Sequence, residues 1–280
     1  YVYTVDVKLK GEEKLLKKLH NRNVSKTEKK RYHFPEPGNE MLEHRPVIVG
    51  TGPAGLFCGL MLARHGYRPI LLERGSSVEE RQKKVNAFWQ GGTLDLQTNV
   101  QFGEGGAGTF SDGKLNTLVK DPLKRGQLVL ELFTEFGADP SILYDHKPHI
   151  GTDVLAEVVK AMRQEIIRLG GTVRFDTQVT DLLVEQQNVS GVKVSFADSQ
   201  TGVQTEETIK SSIVVLAIGH SARDTFSMLL SRQVPMEEKA FAVGLRIQHP
   251  QNMINLSQYG REDAGALGAA NYKLTRQTKS

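Results

Sequence analysis

Residues 45–73 constrain the fold of this chain more than any other stretch. Pro46-Val47-Ile48-Val49 is a short apolar run, and Gly50-Thr51-Gly52-Pro53-Ala54-Gly55 follows it without a gap. Residues 56–65 are apolar on nearly every face and stop at Gly66, the residue type a helix C-terminus favours. Pro69 to Leu72 then reads as a second strand that delivers Glu73. Strand, glycine turn, helix, strand and acid, in that order, form the fingerprint of a dinucleotide-binding βαβ unit.

Each residue of the fingerprint has a physical task. Gly50 permits the tight turn out of the strand, Gly52 leaves no Cβ between backbone and pyrophosphate, and Gly55 lets helix and sheet approach closely. With Pro53 and Ala54 they open a helix whose first N–H groups face the phosphates. Glu73 lies about twenty residues on, where a carboxylate accepts hydrogen bonds from ribose hydroxyls. An acid there repels a 2′-phosphate, so NADP is not expected at this site.

Composition narrows the class further. A chain of 280 residues that is 39% hydrophobic can bury a large core, as one large or two moderate domains. No segment has the order of a secretory signal, and the apolar run 56–63 is too short to cross a bilayer, so a cytoplasmic protein is expected. The single cysteine, Cys58, excludes an intrachain disulfide and a Cys-x-x-Cys redox pair, and reads as a buried small hydrophobe. No His/Cys cluster has metal-ligand spacing, and no Gly-x-Ser-x-Gly elbow is present.

The net charge of +4 is confined to one end, because residues 1–45 hold eleven of the 36 basic residues but seven of the 32 acidic ones. This N-terminal appendage, residues 1–40, begins with the alternating strand Tyr1 to Val7, continues through a charged helix around Glu12 to Leu19, and ends in the linker Phe34-Pro35-Glu36-Pro37-Gly38. Its charges read as a solvated face, since the aromatics do not interleave with them as a nucleic-acid stacking platform requires.

A helix is expected over residues 78–89, and after it comes Gln101 to Leu115, too glycine-rich for a regular element. Gly105, Gly106, Thr109 and Ser111 in that stretch are expected to aim backbone N–H and hydroxyl groups at a ligand, with Asp112 beside them as a further polar group. Amphipathic helices follow over 122–136 and from Thr152, read as an N-cap, to Gly170. Thr172 to Phe175 reads as a strand, then Thr177-Gln178-Val179 with three short strands near 181–184, 191–196 and 206–209. Ile213 to Gly219 reads as a fully buried strand ending in glycine.

The Gly50 loop, Glu73-Arg74, the later Thr-x-Val before a β-meander and the strand ending Ala217-Ile218-Gly219 together resemble the glutathione-reductase-type FAD-binding fold. The resemblance implies that the backbone at Val179 faces the adenine and that Ala217 and Gly219 approach the cofactor. More narrowly, Phe102 to Leu115, Pro148 to Asp153, Gly219 to Asp224 and Phe241 to Ile247 with His249-Pro250 are similar to a bacterial family of FAD-dependent dehydrogenases of unassigned substrate. Nearly the whole chain takes part, and the first two of these blocks are the specific ones. The implied architecture is α/β: a Rossmann-like FAD-binding domain over 45–239 with a parallel sheet and β-meander, and from 240 to 280 the start of a second, substrate domain.

Members of that family are longer, and their chain returns to the first domain to close over the flavin. Phe241, Val243, Leu245 and Ile247 alternate as a first strand, but only about thirty residues follow, fewer than an independent core needs. A partial chain is therefore expected. The function expected is FAD-dependent hydride transfer, with NAD(P)H as an electron donor to be tested and a small-molecule substrate. Lys114, His149 and His220 are the candidate catalytic residues: Lys114 by its charge beside the flavin ring, the histidines by their titration range. Other readings are a flavoprotein that contacts RNA through its basic segment, and a non-catalytic dinucleotide sensor.

Overall fold

Strand β1 (Val47–Val49) is the centre of the fold, with its three side chains between 0% and 7% exposed. The computed structural model describes residues 2–110, 113–115, 119–145, 148–198, 201–240 and 247–272. Two units divide the chain, Tyr1–Val234 and Pro235–Ser280.

The first unit opens with α1 (Glu12–Lys18), whose acids lie in the first turn and lysines in the last, the arrangement the helix dipole favours. Beyond β1 come α2 (Pro53–Arg64), β2 (Ile70–Leu72), α3 (Val78–Trp89), α4 (Arg125–Glu135), α5 (Thr152–Arg168) and β3 (Thr172–Arg174). The meander β4 (Thr177–Glu185), β5 (Asn188–Ala197) and β6 (Gln204–Lys210) precedes β7 (Val214–Leu216) and α6 (Arg223–Ser231). A parallel sheet has the order β3-β2-β1-β7, and the meander forms a separate antiparallel sheet β4-β5-β6.

The pleat of β1 sends its residues into two cores. Ile48 joins Leu56 and Leu60 of α2 and Val158, Met162 and Ile166 of α5 on one face. Val47 and Val49 join Leu182, Val192 and Val194 of the meander and Leu229 of α6 on the other. A strand covered on both faces must be apolar at every position, which is why β1 reads as an unbroken run.

Several elements differ from the sequence expectations, each for a local reason. Residues 2–9 form no strand, and Val2, Val5 and Val7 are 98%, 73% and 68% exposed, so the alternating pattern has found no ladder to join. The expected separate strands at Thr177 and Asp181 are one strand, β4, with an irregular register between Val179 and Asp181. Strand β7 is shorter than residues 213–219 and only half-buried, because it pairs with β1 on one side alone. Helix α5 takes Gly151, not Thr152, as its N-cap.

Helix α4 starts at Arg125 and not at residue 122, because Asp121 accepts hydrogen bonds from the amides of Arg125, Gly126 and Gln127 at 2.8, 2.8 and 3.2 Å. Asp121→Ala should therefore speed amide exchange at those three residues and leave β1 protected, a pattern read by native-state hydrogen exchange. Uniform protection in the variant would show that the cap is idle.

In the second unit, α7 (Gln251–Tyr259) is tied to the chain after it through Asn255, which donates to Glu262 O and accepts from Ala270 N and from Gln251. Phe241, Val243 and Leu245, expected to begin a strand, lie outside the described residues, and Ile247 is exposed.

Candidate dinucleotide-binding site

The three glycines after β1 are required for different reasons. Gly50 has φ of 101°, and a Cβ there would lie 2.5 Å from the Ala217 carbonyl oxygen. At Gly55 a Cβ would lie 1.9 Å from Gly50 O, so the first turn of α2 rests directly on the loop. Gly52 is different: its φ is an ordinary −66°, and the nearest heavy atom to a built Cβ is Gly106 Cα at 4.0 Å. Among the described residues nothing stands closer than 4.0 Å to a Cβ at Gly52. The open space lies beside the N-terminus of α2, where Pro53 and Ala54 are exposed and the first-turn amides carry partial positive charge. Those features fit a pyrophosphate.

Glycine-rich residues 103–106 roof this space. Gly105 donates to Thr51 O at 2.9 Å, and a Cβ on Gly106 would lie 3.1 Å from Pro53 Cδ. The roof hangs on Arg81, which is 0% exposed. Its Nη1 donates to the carbonyls of Glu104 and Gly106, both at 2.7 Å, and to Thr109 Oγ1 at 3.0 Å. Nε and Nη2 reach the carbonyls of Asn99 and Val100, and the guanidinium lies 4.8 Å from the Phe110 ring centroid. Burial pulls this guanidinium down to about 10, against the opposing pull of Glu73 and Glu104. Sequence reasoning missed Arg81, yet it shares the buried stripe of α3 with Val78 and Val85, and a charge on an apolar stripe is the signal that finds it.

Glu73 does not offer its carboxylate to a ribose in this arrangement. It is 5% exposed, and each oxygen already holds two protein donors: Oε2 accepts from Thr51 N and Oγ1, Oε1 from Gly75 N and Gly103 N, all within 3.1 Å. A carboxylate has about four acceptor positions, and all four are taken. Glu73 thereby joins the Gly50 turn, the exit of β2 and the roof. Glu73→Gln should cost about 3 kcal/mol without any cofactor, because an amide presents N–H groups to two of those donors. Chemical denaturation checks this, and an unchanged midpoint would return Glu73 to the ribose alone.

The other expected residues separate into three groups. Ala217 borders the turn, its N donating to Val49 O, whereas Val179 is buried on β4 in the core that holds Val49 and Leu72. Gly219 has φ of 68° and is exposed. Arg74 is committed to protein partners, with Nη2 on Asp224 and Thr225 and its guanidinium 4.5 Å from the Phe102 ring centroid. Thr109 was expected to aim its hydroxyl at a ligand, but that hydroxyl accepts from Arg81 and donates to Gly106 O, in a residue 2% exposed. Its role is to shape the roof.

Lys114 and His149 come together as an isolated antiparallel bridge, both exposed, flanked by Leu115 N to Pro148 O and Ile150 N to Gly113 O hydrogen bonds. Gly113 must be glycine there, since a Cβ would fall 1.5 Å from Ile150 O. His220 is exposed one residue beyond Gly219. Ser111 and Asp112 lie outside the described residues. Cys58 is half-buried on α2, and burial pushes its thiol up. Among the described residues no group of His, Cys, Asp or Glu could hold a metal, and no helix is long and apolar enough to cross a membrane.

Comparison with known proteins agrees with this geometry. Residues 44–225 match the family model "FAD binding domain", and residues 240–280 match "FAD-dependent protein, C-terminal domain-like". An "Uncharacterized protein" of Clostridium beijerinckii is 44% identical over 278 residues, covering 99% of this chain and 50% of its own length. The chain thus spans about half the length of that relative. The thiamine thiazole synthase of Thermococcus kodakarensis is 25% identical over 73% of this chain and 71% of its own. The crystal structure of Thermovibrio ammonificans THI4 aligns over 69% of this chain and 63% of its own, with 20% identity and a TM-score of 0.44.

Proposed function

The chain belongs to the FAD-binding domain family, and from that premise we propose that it forms the cofactor-holding part of an FAD-dependent oxidoreductase that passes hydride between a small molecule and the flavin. The observation that carries the reading is the open space at Gly52. Of the three glycines in the turn, Gly50 and Gly55 are demanded by neighbouring backbone, whereas Gly52 is demanded only by something that occupies its empty side. When bound, the flavin supplies the two-electron chemistry.

The residues of this chain then bind and orient. The α2 N-terminus holds the pyrophosphate, the backbone near Val179 borders the adenine, and the Ala217 to Gly219 turn closes the side of β1. Lys114 and His149, joined by their backbone bridge, form the polar group proposed to face substrate: the ammonium stabilises negative charge and the imidazole exchanges a proton. His220 is the second candidate proton carrier. NAD(P)H is the proposed reductant.

Purified protein titrated with FAD, and separately with NAD and NADP, tests the reading in a calorimeter. Tight binding of FAD alone, with bleaching of the flavin absorbance on anaerobic addition of NADH or NADPH, is the expected result. FAD binding without bleaching by either donor would favour the non-catalytic sensor, and preference for NAD would overturn the cofactor assignment.

A further inference from the structure

Helix α5 carries the roof of the cradle on one stripe. A Cβ built on Gly108 would lie 3.8 Å from Leu155, one on Gly105 would lie 3.4 Å from Val159, and Glu104 Oε2 accepts from Arg163 Nη1 at 2.9 Å. Leu155, Val159 and Arg163 stand one helical turn apart, so a single face of α5 meets three roof residues in succession. The first two contacts are apolar. The third is an ion pair largely out of water, with the Glu104 side chain 0% exposed and that of Arg163 12%.

The partners of Glu104 mark it as a carboxylate. Oε2 accepts from Val78 N at 2.8 Å as well as from Arg163, and Oε1 is buried with no hydrogen-bond partner among the described residues, so every bond the group makes is one it accepts. Arg163 reaches a second acid with its other arm: Nη2 donates to Glu79 Oε1 at 2.7 Å, and the guanidinium lies 5.4 Å from the Phe175 ring centroid. Lys160, 3.7 Å from the same Glu79 oxygen, is the second base of the cluster. Arg81 contributes no bond to the carboxylate, since its donors go to carbonyls and to Thr109.

We propose that Arg163 is a positioning residue for the cofactor: it neutralises Glu104, pins it to α5, and so holds Gly105 and Gly106 over the space beside Gly52. Those two glycines follow Glu104 directly and lie on Thr51, Gly52 and Pro53. Without the guanidinium, a buried carboxylate would keep the Val78 amide alone and would draw water, which the roof admits by lifting. Its uncompensated charge would also repel an anionic pyrophosphate below it. The repulsion rests on the FAD reading, whereas the hold on the roof does not.

Two measurements on the full chain decide the proposal. Both are made at about pH 8.5, above the value of about 7 to which burial raises Glu104 against the pull of the Val78 amide and Arg163. In FAD-free Arg163→Met, the amides of Gly105 and Gly106 should exchange at least about tenfold faster than in wild type, while those of Ile48 and Leu71 keep their rates. Calorimetric FAD affinity of that variant should fall at least about tenfold, and Glu104→Gln/Arg163→Met, which has no charge left at residue 104, should recover most of the loss. Exchange that quickens equally at all four amides with unchanged FAD affinity would show a merely structural ion pair and overturn the proposal, as would a double variant no better than Arg163→Met. Should Arg163→Met fail to fold, Arg163→Lys decides, because an ammonium keeps the charge but cannot span both carboxylates: faster roof exchange with weaker FAD binding supports the proposal, and wild-type values for both overturn it. If wild type bound no FAD, the cofactor reading would fail while the exchange of Gly105 and Gly106 still decided whether Arg163 holds the roof.

Discussion

Gly52→Val should abolish FAD binding while the FAD-free protein keeps its fold. Among the described residues a Cβ there meets nothing closer than 4.0 Å, and φ at Gly52 suits any residue. The isolated fold therefore loses only what a poor N-cap costs, about 1 kcal/mol. The ligand loses far more, because two added methyl groups fill the space the pyrophosphate needs. A fall in affinity of at least about a hundredfold, ~2.7 kcal/mol, is expected by calorimetry, with a thermal midpoint close to wild type. Gly55→Ala gives the contrast: its Cβ would fall 1.9 Å from Gly50 O, and the helix must move off the turn. That variant should lose stability and binding together. If Gly52→Val bound FAD normally, the phosphates would have to lie elsewhere on the chain.

Arg81→Met should destabilise the protein by about 4 kcal/mol, a large share of the total stability of an ordinary domain. The loss comes from what is left behind. Three carbonyls, those of Asn99, Val100 and Glu104, would stay buried or half-buried without their donor, Gly106 O would be left with Thr109 Oγ1, and Thr109 Oγ1 would lose the donor it accepts from. Arg81→Lys should recover little, because an ammonium has three donors and no planar fork to span five acceptors. Urea unfolding of the three proteins compares them directly, and a loss below about 1 kcal/mol for Arg81→Met would mean that the roof is held by other contacts.

How much of this was legible in the sequence depended on whether a residue's role was local. The β1 turn, helix α2 and β2 were readable, because a buried parallel strand must be apolar throughout and a glycine turn must follow it at once. The same locality made α1 readable as a short charged helix. Long-range roles were not. Glu73 reads as a ribose ligand by its place at the end of β2, but its partners Thr51 and Gly103 reach it from loops distant in sequence. Thr109 misled for the same reason, since only the fold brings Arg81 to it. Lys114 and His149 were singled out separately, and their backbone bridge could not be seen without the fold. Strand β7 was over-read because an apolar run does not say whether it has one neighbour or two.

The pairing of β1 with β7 also sets a clock. Residues 47–49 find one neighbour, β2, soon after they are made, but the other comes from residues 214–216, far along the chain. Contacts of such long sequence separation form late, because the intervening segment must be ordered first. Ala217, whose carbonyl oxygen would lie 2.5 Å from a Cβ on Gly50, arrives with that late strand. The turn therefore acquires its final wall only when most of the first unit has folded. In a stopped-flow refolding experiment the far-ultraviolet helix signal should recover first and the capacity to take up FAD should follow as a slower phase, so that cofactor capture reports completion of the sheet.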